Sequence, residues 1–195
     1  MLSDADVRGM LKESGAVKEG HFLLTSGLHS GTYVEKFELL QRPGFAVPLC
    51  AELARRFEGE GVETVVGPAV GGIIIAFEVA RALGVRAIFT EREDGVMKLR
   101  RGFALREGER VLLVEDVVTT GGSVREVIAA IEPSMPSLVG VGLLVDRSGG
   151  SLDFGARTES LCRMSIPTYK LESCPLCQKG LPLVKPGSRK QPSAG

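Results

Sequence analysis

The chain has 195 residues, enough for one domain with a buried core and a small appendage. Lys plus Arg equals Asp plus Glu, at 24 each, which argues against a general nucleic-acid or membrane-surface binder. No apolar run approaches a membrane span, and the opening Met1-Leu2-Ser3-Asp4 lacks signal-peptide character, so a cytoplasmic location is expected.

Ser3 is placed to cap a first helix beginning at Asp4. Residues 21–24 and 32–34 read as two strands around a turn-rich link, Thr25 to Gly31. A helix over about 45–58 presents Val47, Leu49, Cys50, Leu53, Ala54 and Phe57, with Pro48 expected in its first turn. Strands are predicted at 62–66, 85–89, 110–114 and 138–145, with helices at 73–83 and 123–131. Asp94-Gly95 marks a turn inside a charged run, with Phe103 and Leu105 able to anchor a ribbon. A last strand is predicted at 161–166, and the Pro-, Gly- and Lys-rich end is expected to fray.

Repeated strand–helix–strand units with β-branched strands imply an α/β fold, its mostly parallel sheet covered by helices on both faces. Three parts are expected: an N-terminal helix and small hood over 1–40, a core over 41–172, and an extension over 173–195. Ligands of such sheets bind beyond the C-terminal strand ends. The loops 67–72, 90–101, 115–123 and 146–150 all lie at that edge.

Residues 111–123 carry the most information: an apolar strand, two carboxylates (Glu115, Asp116), two apolar residues, then Thr119-Thr120-Gly121-Gly122-Ser123 ahead of a helix. Carboxylates suit sugar hydroxyls, and a hydroxyl- and glycine-rich loop at a helix start suits a phosphate. The plain alternative is a surface loop capped by Ser123. That order resembles the phosphoribosyl pyrophosphate (PRPP) loop of the type I phosphoribosyltransferases.

The resemblance covers about residues 20–150 and implies the fold of that family. It implies that Glu115 and Asp116 hold the ribose hydroxyls, and that Val117, Val118, Thr119, Thr120, Gly121, Gly122 and Ser123 wrap the 5-phosphate. Ala69, Val70, Gly71 and Gly72 correspond to the pyrophosphate loop. Many relatives carry Lys where this chain has Gly71, so backbone amides or another residue must serve there. Residues 90–102 look like the basic loop that closes over PRPP, which makes Arg92 and Lys98 candidates for catalysis and PRPP binding beside Asp116.

Phe22 to Tyr33 resembles the hood of the orotate phosphoribosyltransferase branch, with Thr25 where a Lys often stands and Lys36 nearby. An Arg after a strand, here Arg147, contacts the pyrimidine in that branch, and Thr119 also faces the base. The implied partners are orotate and PRPP, the implied cofactor is Mg2+ bound through PRPP, and the implied assembly is a homodimer sharing the basic loop. Purine phosphoribosyltransferases share the PRPP loop, so they remain an alternative, as does a non-enzymatic PRPP-sensing regulator.

Cys174-Pro-Leu-Cys177 has the spacing of a zinc knuckle, but no second close pair accompanies it in sequence. No metal site is therefore expected, since Cys162 and a His could complete one only by folding back. The segment reads as a turn in the extension, with a reversible disulfide as an alternative. His21 and His29 are expected in surface or hood-packing roles, not in acid–base chemistry.

Overall fold

The computed structural model describes residues 1–24 and 26–186; Thr25 and the end expected to fray lie outside these. By its internal contacts the chain divides into two units, Met1–Ala16 with Lys36–Ser165, and Val17–Glu35 with the chain from Ile166. This division differs from the expected 1–40, 41–172 and 173–195. The first helix belongs with the larger unit, and the C-terminal segment with the hairpin.

In the larger unit, α1 (Asp4–Glu13) opens with a capping box: Ser3 and Asp6 each accept the other's backbone N–H. After α2 (Lys36–Leu40), α3 (Pro43–Arg55) starts earlier than expected, because Pro43 suits the first helical position, where no N–H is needed. Pro48 consequently lies inside α3, not in its first turn.

Then come β3 (Thr64–Pro68), α4 (Gly71–Leu83), β4 (Arg86–Glu93), β5 (Val96–Leu99), β6 (Arg110–Val118), α5 (Gly122–Ile131), β7 (Ser137–Asp146) and β8 (Arg157–Arg163). They build a six-stranded sheet in the order β5-β4-β3-β6-β7-β8. Every pairing is parallel except β4–β5, a hairpin. Asp94 (φ 52°) and Gly95 (φ 83°) form its turn, both positive as a two-residue hairpin turn requires. The last strand falls at 157–163 instead of 161–166, in register with β7.

Val111 and Leu113 of β6, Val141 and Leu143 of β7, and Val124, Val127 and Ile131 of α5 form one core cluster. Burying each such side chain contributes about 1.5–3 kcal/mol. Helix α4 packs on β3, β4 and β6, and α3 on β7 and β8. From the centre, β3 leads through α4 to one side of the sheet, and β6 leads through α5 to the other. The chain direction therefore switches between β3 and β6, and a crevice opens at their C-terminal ends.

The smaller unit is a hairpin of β1 (Val17–Leu23) and β2 (His29–Val34), extended by β9 (Thr168–Tyr169). A short helix, α6 (Pro175–Gln178), follows. Cys174 and Cys177 are free thiols, and they meet His21 and His29 from the hairpin. No second close pair stands near them in sequence; these neighbours come from the other end of the chain by folding back.

Candidate active site

Two features of β6 create the site. The strand runs to Val118, not to 114, because β7 stays paired beside it as far as Val118↔Asp146. On its other side, pairing with β3 ends at Val66↔Leu113. Glu115 and Asp116 are therefore strand residues at a split in the sheet, not loop residues as expected, and both are buried at 5% and 3% exposure.

Few groups compensate them. Glu115 Oε1 accepts the Asp116 N–H at 3.0 Å, and Asp116 Oδ1 accepts the Val117 N–H at 2.7 Å. The cation is Lys36, whose Nζ lies 2.7 Å from Asp116 Oδ2. Burial, with the charge of Asp116 beside it, pushes Glu115 up to about 8. Burial also raises Asp116, against the pull of Lys36. The two carboxylates titrate as a pair, and the lysine favours the charged form of Asp116 against the burial that raises both.

Beyond Val118 the chain turns through Thr119 and Thr120 into α5. Gly121 takes φ 78° there, and a side chain on it would meet Arg125 and the Phe154 ring within 3 Å. Arg125 braces the turn by donating to the Thr120 carbonyl at 3.0 Å. A cavity of about 240 Å³ opens over this turn, lined by Arg92, Glu115 and Val117 through Val124, with Glu126. Helix α5 contributes its unpaired first-turn N–H groups and the positive end of its dipole. The cavity thus combines anion-binding amides with a carboxylate at one wall.

The β3–α4 turn lies at the same edge. Ala69 donates to the Thr90 carbonyl at 2.7 Å, and the Ala69–Val70 peptide is cis. A Cβ on Gly71 would stand 2.1 Å from Asp116 Oδ2 and 3.3 Å from Lys36 Cε. Gly71 therefore touches the carboxylate pair directly, and Lys36 fills the space beside it.

A phosphoribosyl transferase domain model matches residues 46–154, which span β3 through the split and α5. The chain is 55% identical over 185 residues to an orotate phosphoribosyltransferase of Pelotomaculum thermopropionicum, covering 95% of this chain and 97% of that one. It is 51% identical to the orotate phosphoribosyltransferase of Thermotoga maritima, covering 94% and 98%. The chain belongs to the orotate phosphoribosyltransferase family. Among solved structures, the orotate phosphoribosyltransferase of Aeropyrum pernix superimposes with a TM-score of 0.69 at 26% identity, covering 81% of this chain and 93% of that one. An adenine phosphoribosyltransferase of Thermoanaerobacter pseudethanolicus, at 18% identity and TM-score 0.60, covering 68% and 88%, shares the fold.

Within this family frame, the residues singled out from sequence separate into groups. Glu115 and residues 117–123 line one cavity together with Arg92. Of residues 69–72, Gly71 stands against Asp116, the neighbour of Glu115 in β6, and none of the four lines the cavity. Arg147 follows β7, and its backbone N–H donates to Val118 O at 2.8 Å, which tethers it to the start of the same turn.

Lys98 is not brought to the cavity. Strand alternation puts Arg92, paired with Met97, on the α5 side of the hairpin, where it meets Glu126. Lys98 lies on the opposite face and pairs with Glu93 at 2.8 Å. Arg100 and Arg101 pair with Glu91 and Glu93.

Sequence reasoning noted Lys36 only as a neighbour of the hood. Its partnership with Asp116 joins residues far apart in the chain and leaves no local signal. Glu126 was likewise missed, since its position on α5 reads as an ordinary solvent-facing one.

Proposed function

We propose that this chain transfers the ribosyl 5-phosphate of PRPP to orotate, giving orotidine 5-monophosphate and pyrophosphate, in de novo pyrimidine synthesis. The observation that carries the reading is the buried Glu115–Asp116 pair standing at the mouth of the amide-lined turn 119–123. In this reading the turn holds the 5-phosphate and the carboxylates accept hydrogen bonds from the 2- and 3-hydroxyls. As the C1–O bond breaks, positive charge develops on the ribose, and the negative charge held on Asp116 stabilises it. Lys36 is freed from part of its pairing when the sugar hydroxyls arrive, and it then serves pyrophosphate where Gly71 has no side chain.

Arg92 faces the same cavity and supplies a second cation. Arg147 and Thr119 bind orotate, a guanidinium being suited to its carboxylate. Orotate is already an anion, so positioning and charge stabilisation replace a strong general base.

Mg2+ fits this donor set as an ion held chiefly by PRPP. Glu115 and Asp116 are hard oxygen donors, but among the described residues no group of three acidic or histidine side chains gathers at this edge. When bound, the ion neutralises pyrophosphate charge.

A homodimer sharing the basic loop is part of the proposal. Lys98 faces away from the cavity of its own chain, as a residue serving a second copy would. Val70 and Phe77, 66% and 61% exposed, flank Ile74 at helical spacing along α4 and offer an apolar stripe to cover. The metabolic role places the enzyme in the cytoplasm. Separately, no helix among the described residues is long and apolar enough to cross a membrane.

The test is pyrophosphate release from Mg-PRPP with orotate, hypoxanthine, guanine or adenine as acceptor. Release with orotate alone is expected. Release with a purine instead would overturn the choice of base and leave the PRPP site standing. PRPP binding without release for any base would overturn the enzymatic reading.

A further inference from the structure

We propose that His21, His29, Cys174 and Cys177 form a closed tetrahedral zinc site that staples the smaller unit together. The four ligand atoms all lie within 4.8 Å of one another. His21 Nε2 is 3.6 Å from both Cys174 Sγ and Cys177 Sγ, and Cys177 Sγ is 3.3 Å from His29 Nδ1. Zinc binds thiolate at about 2.3 Å and imidazole at about 2.0–2.1 Å, so a tetrahedron has N–S edges of about 3.6 Å and an N–N edge of about 3.3 Å. The His21–His29 edge, 2.8 Å, opens by about half an ångström to match.

Protonation points the same way. His21 Nδ1 lies 2.8 Å from the Leu181 carbonyl, which can only accept. Nδ1 therefore carries the proton, and Nε2 turns a lone pair toward the other three ligands. A ligating histidine held by a backbone carbonyl through its other nitrogen is the usual outer-shell arrangement of zinc sites. His21, His29 and Cys174 are buried, so no water competes for these atoms at close range.

The local folding is suited to the task. The register Leu23↔His29 puts His21 diagonally across from His29 on one face of the β1–β2 ladder, ring centroids 4.9 Å apart. Cys174 is the N-cap of α6 and Cys177 lies in its first turn, a two-residue spacing that presents both sulfurs to one point. All four positions come from protein, which marks a structural site and not a catalytic one. Two thiolates and two imidazoles select zinc over magnesium or calcium.

The smaller unit also needs such a site. Its buried hydrophobic residues among those described are Phe22, Val34 and Cys174, alongside His21, His29 and Ser30. A unit this small with so little apolar burial ordinarily relies on disulfides or metal. The inference is independent of the phosphoribosyl-transfer reading, since none of the four residues belongs to the crevice.

The experiment uses the full chain, purified without a histidine tag and with thiols reduced. Metal analysis should find about one zinc per chain. After zinc is stripped by a chelator, titration with Co2+ should reach an endpoint at about one equivalent, with the intense visible absorption of tetrahedral cobalt and a thiolate charge-transfer band. Stripping should expose the chain beyond residue 166 to protease, and zinc should restore its protection. A Cys174→Ser/Cys177→Ser variant should hold no zinc. Folded, reduced wild-type chain that neither carries zinc nor gives the cobalt spectrum would overturn the proposal, and so would undiminished zinc in the double variant.

Discussion

Strand β6 buries carboxylate at both ends and treats the two ends oppositely. At its foot, Glu109 accepts from Thr64 Oγ1 at 2.5 Å, Arg86 Nη2 at 2.7 Å, and the Arg106 N–H and Nε at 2.8 and 3.3 Å. Burial alone would raise Glu109, but these donors outweigh it and hold the group down at about 2. At the other end Glu115 and Asp116 share two backbone N–H groups and one lysine, and both are raised. A carboxylate whose lone pairs are filled by its own protein stabilises the fold. One whose lone pairs stay open stabilises whatever hydroxyl or cation arrives next.

Four substitutions can break or sharpen this contrast. The largest effect is expected for Asp116→Asn. It should cost about 100-fold or more in kcat, roughly 3 kcal/mol of transition-state stabilisation, with no loss in thermal stability. Steady-state rates beside a melting curve decide it, and unchanged turnover in a folded variant would remove Asp116 from the mechanism.

Glu109→Ala should do the reverse. Two arginines and a buried threonine lose their acceptor, at about 2–3 kcal/mol of stability, while turnover per folded molecule holds. Urea unfolding measures the first and active-site titration the second. Loss of turnover at full stability would mean that the two ends are not separable.

Lys36→Met tests the cation paired with Asp116 at the open end. A rise of about tenfold in KM for PRPP is expected, with kcat less affected. An unchanged KM would remove Lys36 from pyrophosphate binding.

The smallest effect is expected for Glu115→Gln. Glu115 titrates near 8 in the fold, above its ordinary 4.5. Its protonated form therefore favours the folded state. That stability is fully present below about pH 4.5 and is lost as pH rises through 8. The variant should match the parent below about pH 4.5, gain on it as pH rises toward 8, and keep that lead above 8, read as a gap in Tm that widens with pH. Melting curves that stay parallel from pH 5 to pH 9 would contradict the raised titration.

How much of this was legible follows the distance over which each feature is built. Strands 62–66, 110–114 and 138–145 were legible because β-branched runs and turn residues act locally. The motif from Glu115 to Ser123 was legible because its parts are contiguous, although only Thr119 onward forms the turn. Strand ends were not, since β7 keeps β6 in its ladder to Val118 and only pairing decides that. The Lys36–Asp116 contact, the foot network of Glu109, and Cys174 meeting His21 across 153 positions are tertiary events. The basic run 90–102 was legible in its Asp94-Gly95 turn but not in the faces of its ribbon. Its residue types promise cations at the crevice, but a two-residue turn at Asp94-Gly95 makes it a ribbon whose alternation sends Lys98 to the far face.

Gly71 has a consequence for how this chain can change over generations. Any side chain there collides first with Asp116 Oδ2 and then with the Lys36 stem. Positions 71 and 36 therefore draw on one small volume and one charge requirement. A lineage can hold its cation at either position, but the path between them is ordered. The Asp116 carboxylate that Lys36 holds must turn aside before residue 71 can grow, and that movement breaks its pairing with the lysine. Epistasis between two residues remote in sequence is thus written into a single missing methyl group.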